Sequence, residues 1–196
     1  MGFGFLLAGY FFAFLMSNLH PAFGFAGAYL IFAAVLKLKK YKKIFSYATL
    51  PVLLMMLVSA ERSAYELSSF FGADIAFLSD AVLRSVLNYV YILAISVFHV
   101  VVLWAVAELA KGTGLEKIRV MSLRNMFFFL AYAVLYIFAT LPISLPEPFG
   151  NYFRLLLSLM QIFWIILNMI LFFRCFQNMH DAEKEFKREE KDKGGK

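Results

Sequence analysis

A single histidine inside a long apolar run is the first residue in this sequence that could do chemistry. His99 lies near the middle of the segment that we predict as the fourth helix. Because a polar group in hydrocarbon is costly, such a residue could be a proton relay, a haem ligand or a substrate contact. No second histidine lies at the same depth, so we expect neither a two-histidine haem nor a histidine metal site. We favour a neutral imidazole that hydrogen-bonds to a neighbouring helix.

Two amides on the last apolar segment form a second polar feature. Gln161 and Asn168 are seven residues apart, so they lie on one face of a helix. Amides of this kind usually hydrogen-bond between helices, at about 0.6 kcal/mol per bond, and hold a bundle together. A role in lining a substrate site is the alternative interpretation.

Charged side chains gather at the predicted outer end of the third helix. Glu61 and Arg62 lie where that helix leaves the hydrocarbon, and they could form a vestibule with the fourth and sixth helices. A mouth with both signs of charge would suit a small zwitterionic or amphipathic ligand. We favour the alternative, a solvated helix end with ion pairs. The candidate ligand-binding residues are His99, Glu61, Arg62, Asn88, Arg154, Gln161 and Asn168.

The sequence contains no motif that is typical of catalysis or of cofactor binding. It has no Gly-rich phosphate loop, no His-Glu-x-x-His, no Cys-x-x-Cys and no Gly-x-Ser-x-Gly. No lysine lies in the centre of an apolar segment, which excludes a retinal Schiff base. We therefore predict no catalytic residue, no metal site and no cofactor, and we favour a function other than catalysis.

The elements that must position these residues are apolar helices in a bilayer. The chain is 62% hydrophobic and 16% charged, and its mean hydropathy is +0.75. Its apolar residues fall in blocks near the ~20 residues that cross ~30 Å of hydrocarbon. We predict an all-α polytopic membrane protein whose six transmembrane helices are arranged as three hairpins. The predicted helices cover about residues 2–17, 22–36, 44–71, 74–110 and 126–141, and from 151 into the charged tail.

Local features modify this plan. The first hairpin, residues 2–36, is short for a bilayer and could fail to span it fully. Its glycines and alanines recur at small-xxx-small spacing, which favours close packing inside the bundle; a dimer face is the alternative. Pro51 predicts a kink in the third helix, because it removes one backbone hydrogen bond.

Helices three and four are predicted to continue beyond the membrane on the outer side. Apolar character fades at Ser59, but residues compatible with a helix continue to Phe71, and Gly72 is a plausible stop. Two apolar stripes run along the protruding parts, and we expect them to face each other. The first consists of Ala60, Ala64, Leu67 and Phe71, and the second of Ile75, Leu78, Val82 and Val86.

Five lysines within seven residues fix the predicted orientation. If this lysine cluster is cytoplasmic, the second basic loop, residues 111–125, and the charged tail lie on the same side. That side then holds sixteen of the nineteen lysines and arginines, as the positive-inside rule requires. We predict a cell-membrane protein with both termini cytoplasmic. The lysine cluster consists of Lys37, Lys39, Lys40, Lys42 and Lys43.

This orientation also accounts for the net charge of +6, which needs no nucleic acid as a partner. The lysine cluster is expected to meet anionic lipid headgroups, at about 1 kcal/mol per lysine near the surface. The domain organisation follows from the same pattern. Residues 1–180 form the six-helix transmembrane domain, and residues 181–196 form a charged cytoplasmic tail.

No specific motif assigns the chain to a family. In size and layout alone, with 196 residues, six helices and both termini inside, it resembles the substrate-binding membrane subunits of energy-coupling-factor importers. The first functional hypothesis is accordingly a transport component or small-molecule-binding subunit with an outward-facing site. The alternative is a non-catalytic accessory or scaffold protein. Its partner membrane protein would engage the hairpin around Gly72 or the charged tail.

Overall fold

The computed structural model describes residues 2–72, 80–140 and 146–194, with side chains for all of these except 140, 147–148 and 180–194. Every regular element in the described part is helical, which confirms the all-α prediction with six helices. Two short 3₁₀ segments, Met16–Asn18 and Lys43–Ala48, lie between helices. The helices are α1 (Phe3–Phe14), α2 (Pro21–Leu38), α3 (Thr49–Phe70), α4 (Ala81–Gly112), α5 (Glu116–Thr140) and α6 (Glu147–Gly194).

Five of these helices are long and apolar enough to cross a membrane. The apolar spans are Pro21–Leu38, Lys43–Phe70, Ala81–Gly112, Glu116–Ala139 and Phe149–Met179. The remaining helix, α1, is apolar but has only 12 residues, and the 3₁₀ segment extends it to Asn18. The short first hairpin therefore divides into a helix of spanning length, α2, and a shorter one, α1.

The predicted second basic loop, residues 111–125, is wrong. Helix α4 continues through Gly112 and α5 already begins at Glu116, so the connection is a tight turn. Gly114 has φ +70°, a left-handed conformation that glycine adopts without strain. The charges that suggested a loop lie on the first turns of α5, where Arg119 pairs with Glu116 at 3.0 Å. This longer helix carries Asn125 into the interior.

Two further helix starts, those of α3 and α6, differ from the predictions, and a third falls partly on residues outside the described part. Pro51 is the third residue of α3, where its missing N–H costs no bond within the helix, so the reason for a kink disappears. Asp80 caps α4 by accepting from the Val82 and Leu83 backbone N–H groups; residues 74–79, where the predicted fourth helix begins, lie outside the described residues. Helix α6 begins at Glu147, one turn before the predicted Asn151, and runs through the tail to Gly194 as expected.

The helices pack as a closed ring. Each helix contacts its neighbour along the chain, and α1 closes the ring against α6. Contacts between side chains identify the two ends. The Lys42 Nζ atom lies 4.0 Å from the Glu108 Oε2 atom at one end, which we call the lysine end. Arg62 donates to Asn88 at the opposite end, which we call the Arg62 end.

Helices α1 and α2 approach so closely that only glycine fits between them. A Cβ atom added to Gly27 would meet the Ala13 backbone nitrogen and would lie 2.7 Å from the Gly9 carbonyl oxygen. The small-residue spacing therefore serves packing within the bundle at these positions. This contact places α1 against the core, where Phe3, Leu6 and Tyr10 are fully buried.

The prediction that two apolar stripes of α3 and α4 face each other is wrong where the structure describes them. Leu67, Phe71, Val82 and Val86 are each more than half exposed, and Ile75 and Leu78 lie outside the described residues. Two cation–π contacts join α3 and α4 instead. Arg62 lies over Tyr91, and Arg84 lies over Tyr65.

We expect Gly27→Ala to destabilise the protein by about 1–3 kcal/mol, because its Cβ would force α1 and α2 apart. The matched control is Gly112→Ala, since nothing lies within 4 Å of a Cβ at that helical position. Unfolding of both variants in the same detergent is the measurement. Equal stability of the two variants would contradict the close packing.

Candidate functional site

A chain of buried side-chain hydrogen bonds crosses the interior of the bundle. The His99 Nδ1–H donates to the Ile95 carbonyl oxygen at 2.7 Å, because that oxygen can only accept. His99 Nε2 is then an acceptor for the Tyr10 hydroxyl at 2.9 Å. The Tyr10 oxygen in turn accepts from Asn168 Nδ2 at 3.0 Å. Asn168 Oδ1 accepts from Asn125 Nδ2 at 3.0 Å. Each group therefore donates to the next one in the order Asn125, Asn168, Tyr10, His99 and the Ile95 carbonyl oxygen.

This polar chain joins four of the six helices. Tyr10 belongs to α1, His99 to α4, Asn125 to α5 and Asn168 to α6, and each is at most 2% exposed. Both imidazole nitrogens are engaged, so His99 has no free nitrogen for a ligand or a metal ion. In the described part of the chain, no three His, Cys, Asp or Glu side chains converge on one point. The hydrogen bond between His99 and Tyr10 connects α4 to α1, as expected for a histidine that holds helices together.

A layer of aromatic rings surrounds His99. The imidazole stacks on Phe129, with ring centroids 4.6 Å apart, and meets the indole of Trp164 edge-on at 4.6 Å. Tyr10, Phe14 and Phe98 complete the layer. Within the described residues, the Trp164 Nε1–H is the single buried side-chain polar atom without a hydrogen-bond partner. Its ring is packed among the faces and edges of other rings.

Above this layer, toward the Arg62 end, lies a cavity of about 460 Å³. Its volume falls within the ~300–1,000 Å³ of typical small-molecule sites. Phe14, Phe129 and Trp164 line its deep side and also contact His99, so the polar chain lies one layer below the cavity. The rest of the lining comes from α3 to α6: Arg62, Asn88, Tyr89, Tyr91, Ile92, Leu93, Ile95, Ser96, Tyr132, Ala133, Tyr136, Ile137 and Gln161.

Arg62 brings a positive charge to this mostly apolar wall. Its Nη2 donates to Asn88 Oδ1 at 3.0 Å, and its guanidinium lies 4.5 Å from the centre of the Tyr91 ring. These two contacts hold a flexible side chain in one orientation at the cavity mouth. Among the described residues no carboxylate pairs with Arg62.

The structure brings three of the predicted site residues to one cavity, namely Arg62, Asn88 and Gln161. Two others, His99 and Asn168, lie beneath it in the polar chain. Glu61 and Arg154 are not part of its wall, although both belong to helices that line it. The described part of the wall thus has one sign of charge, and Arg62 contacts Asn88 and Tyr91 rather than forming the ion pair that the favoured interpretation, a solvated helix end, implied.

A second cavity of about 210 Å³ lies on the α1–α2 side of Arg62. It shares Phe14, Arg62, Tyr91, Ile95 and Gln161 with the larger cavity. Ser17, Asn18 and Ser59 give it a more polar lining. Arg62 and Tyr91 therefore line both cavities, which lie near the same end of the bundle.

Sequence reasoning missed two members of the polar chain. Tyr10 lies in an apolar run where a tyrosine is unremarkable, and Asn125 was assigned to a loop that is in fact helix. The available signal was the Glu116 and Arg119 pair at i,i+3, which is compatible with a helix start nine residues before Asn125.

Comparisons with protein-family models, with curated proteins and with solved structures each gave no match. The likeness in layout to substrate-binding importer subunits therefore stays a prediction from size and topology.

We expect Asn168→Leu to destabilise the fold by about 1–3 kcal/mol, because Asn125 Nδ2 loses its acceptor and the Tyr10 oxygen loses its donor. The matched control is Gln161→Leu on the same helix, at an exposed position, with an expected change within about 0.5 kcal/mol. Denaturant unfolding in detergent measures both. A cost at Gln161 as large as that at Asn168 would contradict a structural role for the polar chain.

Proposed function

We propose that this chain is a multi-pass protein of the cell membrane that binds a small molecule in the cavity between α1 and α3–α6. The observation that carries the proposal is the coincidence of that cavity with Arg62, Asn88 and Gln161. A solidly packed interior at this depth would have left no room for a ligand. The protein acts in this proposal as a transport component or binding subunit.

The shape and chemistry of the cavity support the proposal. Aromatic and aliphatic side chains make up most of its wall, and a few polar groups converge at its mouth. Small-molecule sites commonly combine an apolar wall with a few placed polar groups. The hydrogen bond from Arg62 to Asn88 fixes the polar groups before a ligand arrives, which lowers the entropic cost of binding.

The orientation is part of the proposal. With six spanning helices arranged as three hairpins, the lysine end faces the cytoplasm together with both termini. Lys37, Lys39, Lys40 and Lys43 are exposed there and would contact anionic headgroups. The Arg62 end then faces outward, with the ends of α3 and α4 beyond the membrane. The cavity would receive its ligand from the outside.

A second candidate function is that of an accessory or scaffold protein for another membrane protein. The observation in its favour is a pair of exposed phenylalanines at the end of α3. Phe70 is 83% exposed and Phe71 is 75% exposed, beside the Gly72 region where a partner was expected. Exposed apolar groups of this size are common at contact sites between proteins.

We expect at least one compound from a library of metabolites to stabilise the purified protein against heat. Ligand at about one hundred times its Kd would add about 2.7 kcal/mol. Ala133→Trp, which fills the cavity from its wall, should abolish the effect, whereas Ala139→Trp on the same helix, away from the cavity, should retain it. Thermal unfolding in detergent is the measurement.

If no compound stabilises the protein, the binding proposal fails. Co-purification of a second membrane protein, lost when residues 181–196 are deleted, would then favour the scaffold function. Stabilisation that survives Ala133→Trp would show that a ligand binds elsewhere.

A further inference from the structure

The charge of the cavity wall restricts the chemistry of the ligand. Arg62 is the one formally charged residue among the described residues that line the cavity. We infer that the cavity takes an amphipathic monocarboxylate, with an apolar body against the aromatic wall and its carboxylate on Arg62. This inference rests on the proposed function and names the ligand class for the same site.

The acidic residues near Arg62 do not share its cavity. Glu61 precedes Arg62 in α3 but is absent from the wall, because adjacent residues of a helix point about 100° apart. Glu66 is turned toward the α1–α2 connection, where its Oε2 lies 3.5 Å from His20 Nε2. The two-signed mouth considered from the sequence is therefore not seen among the described residues, whose part of the wall offers an ammonium group no carboxylate.

Arg62 is well placed for a carboxylate. Its bond to Asn88 uses one of the five N–H donors that a guanidinium carries, and the planar fork can donate two parallel bonds to a carboxylate. The Asn88 amide nitrogen adds a donor at the same point of the wall. Attraction between the charges is stronger here than in water, because half-buried Arg62 and its aromatic neighbours exclude solvent.

The aromatic wall admits an apolar body and also raises one competing possibility. Tyrosine and tryptophan rings can bind organic cations on their faces. Arg62 already occupies the face of Tyr91, and its positive charge opposes a second cation in the same cavity. The positive mouth therefore favours an anion over an amine of the same shape.

A carboxylate on an apolar body can come from two sources. It can be a short acid dissolved in water, or it can be a fatty acid that reaches the cavity from the bilayer. Both would present the same group to Arg62, so the test includes a probe of each kind.

The chain offers a natural reporter for the experiment. It has two tryptophans, of which Trp164 lines the cavity and Trp104 is 53% exposed on α4 and outside the wall. In the variant Trp104→Phe, all indole emission comes from Trp164. Four probes are titrated in a neutral detergent: 4-phenylbutyrate, its neutral amide, 4-phenylbutylamine and oleate.

We expect saturable changes in Trp164 emission with 4-phenylbutyrate, or with oleate if the ligand comes from the bilayer. The carboxylate should bind at least about tenfold more tightly than the amide, a difference of ~1.4 kcal/mol, and the amine should bind more weakly still. Arg62→Gln should lower the affinity for the carboxylate to that for the amide. Arg84→Gln is the matched control, since Arg84 lies over Tyr65 outside the cavity, and should change the affinity less than about twofold.

Each other outcome is decisive. If the amide or the amine binds as tightly as the carboxylate, the ligand class is wrong while binding in the cavity stands. If Arg62→Gln leaves the affinity for the carboxylate unchanged, the role of Arg62 is wrong. If no probe changes the emission, the inference fails, and the metabolite screen then decides separately whether the proposed function fails with it. The comparison of probes in Trp104→Phe needs no variant at Arg62, so it holds even if Arg62→Gln does not fold.

Discussion

The hydrogen bonds from Asn125 through Asn168 and Tyr10 to His99 are the constraint on which the interior depends. In an apolar bundle the packing of side chains tolerates several rotations of each helix, but four polar groups must find one another or remain unpaired. Their pairing fixes the rotation of α1, α4, α5 and α6 together. The aromatic layer around His99 follows from that rotation, and it forms the floor of the cavity.

The cavity itself follows from unequal helix lengths. Helix α1 has 12 residues and ends at Phe14, whereas α4 has 32 residues and continues to the Arg62 end. Above Phe14 the chain turns into a 3₁₀ segment and then into α2, so α1 does not fill the space between the longer helices. Arg62 and the tyrosines line this space. A short first helix thus gives the bundle a packed half and an open half.

The composition was sufficient to predict the helices, because apolar blocks of spanning length leave little choice in lipid. The meeting of Arg62 and Asn88 was also predictable, since each lies about two turns from the same end of its helix, whereas Gln161 lies deeper in α6. Arg154 differs because it lies about 10 Å farther along α6 than Gln161, at seven residues of 1.5 Å rise. The polar chain escaped prediction for another reason. The charges of Lys117 and Arg124 suggested a loop, and only the folded structure places Asn125 opposite Asn168.

In our proposal, the open half of the bundle holds one small organic anion. Native mass spectrometry of gently purified protein tests it most directly, because it weighs the chain together with whatever remains bound. We expect one adduct per chain, with the mass of a single acid, that disappears in Ala133→Trp. A spectrum that shows the bare chain alone, or adducts that Ala133→Trp leaves unchanged, would contradict it.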